Sequence, residues 1–122
     1  MARVLINSID SFGDKITQKI IATKTTENNT IIFRYSNKEG NGEIKISSDF
    51  VEIHKKGEVN SSLILKEGKK TPFSYHTPFF HKEFTIFCKS LNYTENKLTT
   101  SYIIYDNNIE INQLDIEIIE VR

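Results

Sequence analysis

The chain has 122 residues, a formal net charge of +0, 38% hydrophobic residues and 26% charged ones. That is room for one hydrophobic core, and the composition is that of a folded domain, which excludes a two-domain protein and a disordered one. Duplex binding needs surplus cation to neutralise phosphates, but here 16 Lys+Arg face 16 Asp+Glu.

Met1 to Asn7 lacks the apolar run of a secretory signal, since Asn7, Ser8 and Asp10 interrupt it. No apolar stretch reaches the length of a membrane span. The expectation is a cytoplasmic protein, in which Asn28-Asn29-Thr30, Asn60-Ser61-Ser62 and Asn92-Tyr93-Thr94 are chance matches to a glycosylation triplet. Asp14 to Lys24 is either a helix capped by Asp14, with Ile16 and Ile20 one turn apart, or a strand. Its β-branched run of Ile16, Thr17, Ile20, Ile21, Thr23, Thr25 and Thr26 favours a long strand.

From residue 31 onward the apolar residues alternate with period two. Ile31, Phe33 and Tyr35 share a face opposite Arg34, Ile44 pairs with Ile46, and Val51 and Ile53 flank Glu52. Leu63 and Leu65 continue the pattern. Between Lys82 and Leu91, Phe84, Ile86 and Cys88 oppose Thr85, Phe87 and Lys89. Leu98, Thr100, Tyr102 and Ile104 then align, and Leu114, Ile116 and Ile118 close the series. Such alternation marks half-buried antiparallel strands. Gly13-Asp14, Asn28-Asn29, Asn37 to Gly42, Lys56-Gly57, Glu67-Gly68-Lys69, Thr94-Glu95-Asn96 and Asp106-Asn107-Asn108 supply turn residues between them. Pro72 and Pro78 bracket Tyr75 and make that segment an edge, a bulge or a short crossing strand. The adjacent Phe79 and Phe80, read as strand residues, must present one ring outward. One all-β domain over residues 1–122 follows, with eight to ten strands as roughly the number that fits. Barrel and two-sheet sandwich satisfy that count equally.

The order Gly57-Glu58-Val59-Asn60-Ser61-Ser62-Leu63-Ile64-Leu65, the Gly68-Lys69 turn, and Tyr75-His76-Thr77-Pro78-Phe79 resemble the YwiB-like family of small uncharacterised bacterial proteins. Leu98 to Tyr102 and Leu114 to Ile118 fit it too. Phe80 stands where the family pattern has glycine. The resemblance implies a single antiparallel up-and-down barrel of lipocalin-like, calycin type, and implies no activity.

No motif suggests catalysis. His54, His76 and His81 have no metal-ligand spacing, so no metal is expected, and Cys88 reads as a small core residue. The lysine pairs Lys55-Lys56 and Lys69-Lys70 sit beside Gly57 and Gly68 as solvated turn residues. Glu110, Asp115, Glu117 and Glu120 read as the wet face of the last strand. The expectation is a non-enzymatic barrel without cofactor, nucleic acid or membrane partner, holding a small apolar ligand in its lumen. Candidate lining residues are Tyr35, Tyr75, Phe84 and Tyr102, whose tyrosines join apolar walls to an orienting hydroxyl. The alternative is an interaction module, such as a homodimer, acting through a strand edge or the Phe79-Phe80 patch.

Overall fold

Alternating side chains and tight turns produce ten strands in the computed structural model, which describes residues 1–121. They are β1 (Ala2–Asp10), β2 (Lys15–Glu27), β3 (Thr30–Asn37), β4 (Gly40–Ile46), β5 (Val51–Gly57), β6 (Asn60–Leu65), β7 (Lys70–His76), β8 (His81–Thr94), β9 (Lys97–Asp106) and β10 (Ile109–Val121). Each pairs antiparallel with its sequence neighbours, and β1 pairs with β10, closing an up-and-down barrel. Residues 15–27 are strand, as their β-branched run predicts, and no helix occurs among the described residues.

Three hairpins turn on two residues with positive φ, namely Asn28-Asn29, Glu95-Asn96 and Asn107-Asn108. That pair of left-handed residues matches the right-handed twist of the flanking strands. Asparagine supplies five of the six positions, because its short polar side chain tolerates this conformation.

The lumen fills in layers set by register. Phe33, Ile44, Ile53, Leu63, Phe73 and Phe84 form one continuous cross-strand row over β3 to β8. Below it Ile46, Val51, Leu65, Ile86, Cys88, Leu98, Val4 and Ile118 pack as the buried core. The Lys24–Glu120 ion pair, at 2.8 Å, lies beyond that core at the end opposite the β3–β4 and β5–β6 turns. Glu120 is in phase with Ile116 and Ile118 rather than with the outer carboxylates, so it leaves the wet face that the sequence pattern assigned to it.

Two further expectations change. The extra residue Lys89, between Cys88 and Ser90, is a bulge in the β8–β9 ladder. It resets the alternation, so that Leu91 and Tyr93 also pack against the core. Phe79 and Phe80 lie in the β7–β8 turn rather than in a strand, and both are exposed. The Thr77 hydroxyl accepts the amides of Phe79 (3.2 Å) and Phe80 (3.1 Å), and Phe80 needs no positive φ where a glycine was expected. Closure also removes the free strand edge through which an interaction module was expected to act.

Pro72 is tolerated because the β6–β7 ladder stops at Leu63–Phe73, one pair before it would need the Pro72 amide. The Thr71 hydroxyl donates to the Ile64 carbonyl in place of a ladder bond.

Gly42 is required by a close approach. It pairs with Tyr35, and a Cβ at position 42 would fall inside the Tyr35 ring. Gly42→Ala is expected to displace that ring and to destabilise the fold by about 1–3 kcal/mol, the range for overpacking a filled site. Urea denaturation measures it, and an unchanged midpoint would mean that the ring does not rest on this glycine.

Candidate functional site

The row above the apolar layer is polar. Tyr35, Gly42, Lys55, Ser61, Tyr75 and Lys82 are consecutive cross-strand partners over β3 to β8, all in phase with the inward residues. The barrel end they ring carries the β3–β4 and β5–β6 turns. There Gly40 and Gly57 face each other so closely that a Cβ on either would strike backbone of the other turn. This contact fixes the rim.

Inside that rim is a cavity of about 610 Å³. From the strands it is lined by Gln18, Tyr35, Lys55, Ser61, Phe73 and Tyr75, and from the rim by the turns around Glu39 and Glu58. The size is that of a small-molecule site, which typically spans about 300–1,000 Å³. Among the described residues no histidine or cysteine lines it.

The polar groups there are uncommitted. Among the described residues, the side chains of Gln18, Tyr35, Lys55, Ser61 and Tyr75 have no hydrogen-bond or ion-pair partner. Neighbouring outward side chains on the same strands are engaged instead. Arg34 donates to Glu43 at 2.8 Å, Ser36 bonds Asn41, and His54 sits between Glu52 and Ser62. The Arg34 hydrogen bond holds the Glu43 carboxyl below the usual carboxylate range.

The four expected lining residues separate. Tyr35 and Tyr75 border the cavity. Phe84 lies one layer deeper, stacked on Phe73 with ring centroids 5.8 Å apart. Tyr102 lies across the barrel, buried between Cys88 and Leu114. Phe73, Gln18, Lys55 and Ser61 line the cavity without having been singled out. Ser61 and Phe73 are in phase with Leu63 and Tyr75, a signal present in the sequence. Lys55 was hidden by its resemblance to a turn lysine.

A second, outer cavity of about 1180 Å³ runs along the exterior of β2 to β7 and is lined by Thr23, Arg34, His54, Lys56, Ser62 and Ser74, among others. His76 and His81 reach it as well, their rings stacked 5.1 Å apart where the β7–β8 ladder ends. Among the described residues no three His, Cys, Asp or Glu side chains gather as a metal site, and no helix is long and apolar enough to cross a membrane.

Burial pushes the Tyr102 phenol far above its ordinary value, and burial followed by the nearby Glu39 charge raises Tyr35. For both, the neutral form is favoured in the folded state. The stability this contributes is complete below the unfolded value of about 10 and is lost as pH rises through the folded value. An alkaline titration followed at the phenolate absorbance should therefore show two late-ionising tyrosines, and Tyr35→Phe and Tyr102→Phe should each remove one. Loss of neither late step would show that these rings are not held neutral by their surroundings.

The sequence profile of a family described as Domain of unknown function (DUF1934) matches residues 6–118. The crystal structure of the ywiB protein from Bacillus subtilis has the same fold, with a TM-score of 0.78 at 16% identity. That match covers 99% of this chain and 92% of the other. No curated protein matches.

Proposed function

The chain belongs to the DUF1934 family, whose description carries no activity, and we propose on physical grounds that it binds a small, largely apolar molecule at the open end of the barrel. One observation carries this reading: a ring of uncommitted polar side chains stands directly over a layer of Phe33, Ile44, Ile53, Leu63, Phe73 and Phe84. Among the described residues none of these five side chains has a polar atom buried without a partner, so each still reaches solvent at the mouth. Free of protein partners, they are available to bond a polar group that enters with an apolar body. Phe73 and Tyr75, edge to face at 6.4 Å, make the apolar wall. Tyr35, Ser61 and Lys55 can orient the polar end. The reading treats the protein as a cytoplasmic, calycin-type binding protein without cofactor, and its single cysteine without a disulfide fits that compartment.

Thermal-shift and native mass-spectrometric screening with medium-chain alcohols and alkylphenols tests it. A ligand at 100 times its Kd should stabilise by about 2.7 kcal/mol, and Ser61→Trp, which fills the mouth, should abolish the shift while leaving the barrel folded. If no amphiphile raises the melting temperature of the unmodified protein, the reading fails.

A second reading rests on Phe79, which is 94% exposed at the tip of the β7–β8 turn. Phe80 behind it leans on Tyr75 at 5.8 Å between ring centroids. An exposed ring of this kind suits a homodimer contact. Sedimentation should then show a dimer that Phe79→Asp converts to monomer, and a monomeric unmodified protein would dispose of this reading.

A further inference from the structure

The outer face of β5 and β6 holds an arrangement unrelated to ligand binding in the mouth. His54 and Ser62 are cross-strand partners, and Glu52 precedes His54 by two residues on the same face. The His54 ring spans them, with Nδ1 3.0 Å from Ser62 Oγ and Nε2 3.1 Å from Glu52 Oε1. All three side chains are partly buried rather than free in solvent.

Hydrogen-bond chemistry assigns the protons. An ionised carboxylate can only accept, so Glu52 selects the tautomer in which His54 Nε2 carries hydrogen. Nδ1 then presents its lone pair, and Ser62 must donate to it. A hydroxyl donating to an imidazole whose far nitrogen is held by a carboxylate is the constellation of a serine nucleophile, its base and the group that orients the base. Ser62 and His54 line the larger cavity of about 1180 Å³, so a substrate can reach the hydroxyl.

We propose that Ser62, His54 and Glu52 form a nucleophilic acyl-transfer site that hydrolyses small, water-soluble carboxylic esters. Ser62 Oγ bonds to the ester carbonyl carbon while its proton passes to His54 Nδ1, and Glu52 stabilises the imidazolium through Nε2. As the tetrahedral intermediate collapses, the carbon–oxygen bond to the alcohol breaks and Nδ1 returns the proton to the departing oxygen. A water molecule, deprotonated in the same way, then attacks the acyl carbon, releasing the acid and restoring the Ser62 hydroxyl. The sum is ester plus water giving acid plus alcohol.

Donors for the intermediate's oxyanion come from side chains, since the local backbone amides belong to ladders. Ser74 is paired with Ser62 across β6–β7, and Asn60 lies two residues before Ser62 on the same face. Asn60 Oδ1 accepts from Gly57 N at 3.0 Å, which leaves its Nδ2 hydrogens for the cavity that both residues line. Side-chain donors of this type are each worth about 10²–10³ in turnover when well placed.

The test combines turnover of p-nitrophenyl acetate with fluorophosphonate labelling and peptide mass spectrometry on the full chain. The expected result is a phosphonyl adduct on Ser62, with turnover lost in Ser62→Ala and in His54→Ala. Ser101→Ala, on the far side of the barrel, should retain it. Glu52 is a positioning residue. Glu52→Gln should cut turnover at least tenfold, and nitrogen-15 spectra of His54 should lose the Nε2-protonated tautomer seen in the unmodified protein. Circular dichroism and melting establish that each variant is folded. Labelling spread over several serines, or a folded His54→Ala that labels as fast as the unmodified protein, would overturn the proposal, as would a His54 protonated at Nδ1.

Discussion

The seam between β1 and β10 is the constraint on which the rest of the molecule depends. Eight consecutive residue pairs, from Arg3–Val121 to Asp10–Leu114, join the two ends of the chain. With that seam made, every strand has two neighbours and each side chain has two destinations, lumen or exterior. With it open, the layers around Phe33 and Leu65 would lie on one face of a ten-strand sheet, and both outer strands would offer unpaired amides to any other chain. The closure joins residues more than a hundred positions apart, so it carries a larger loop-closure entropy than any of the nine hairpin pairings. Ala2 and Ala22, paired beside the seam and both buried, keep the strands close there, and the Lys24–Glu120 bridge links β2 to β10 across it. Its side chains are 33% and 14% exposed, so solvent still reaches the pair and it adds little to stability by itself.

Closure makes two unlike ends. One end of the lumen is filled by Val4, Ile46, Val51, Leu65, Ile86 and Leu98. At the other end the Gly40–Gly57 contact draws two turns together above a polar ring that nothing fills. A packed core at one end supplies stability, and the cavity at the other is where the proposed ligand would sit. The open question for any small barrel, whether its interior is pocket or core, has both answers here, separated by one layer of aromatic and aliphatic side chains.

Much of this was legible in the sequence, and the failures have identifiable causes. Strand positions followed from alternation, which reports a local geometric fact about successive side chains. Asn28-Asn29, Asp106-Asn107-Asn108 and Thr94-Glu95-Asn96 gave the hairpins for the same reason. Closure was not legible from periodicity, because a sandwich and a barrel impose the same alternation; only the resemblance built on Tyr75 to Phe79 favoured the barrel. The bulge at Lys89 left no composition signal, and so the inward turn of Leu91 and Tyr93 was missed. Tyr102 was grouped with Tyr35 as a lumen-lining ring yet lies away from the mouth cavity, because phase says which face a ring takes but not which height or side of the barrel. Lys55 shows the reverse error: adjacent to Lys56 and Gly57, it looked like a solvated turn, yet its phase with Val51 and Ile53 turns it toward the lumen.

The two proposed sites share a backbone and differ by one residue of phase. Lys55 and Ser61 face the mouth, while their chain neighbours His54 and Ser62 face outward, and each pair is joined across the same β5–β6 ladder. A slip of one residue would exchange them, placing His54 in the lumen and dissolving both constellations together. What prevents the slip is the turn between the strands, where Asn60 Oδ1 receives the Gly57 amide, and the Gly40–Gly57 contact that tolerates no side chain. Leu63 and Leu65 hold the other end of β6 in the core at the same phase. Register, pinned by one hairpin and by the core, therefore decides whether the inner face can bind and whether the outer face can react.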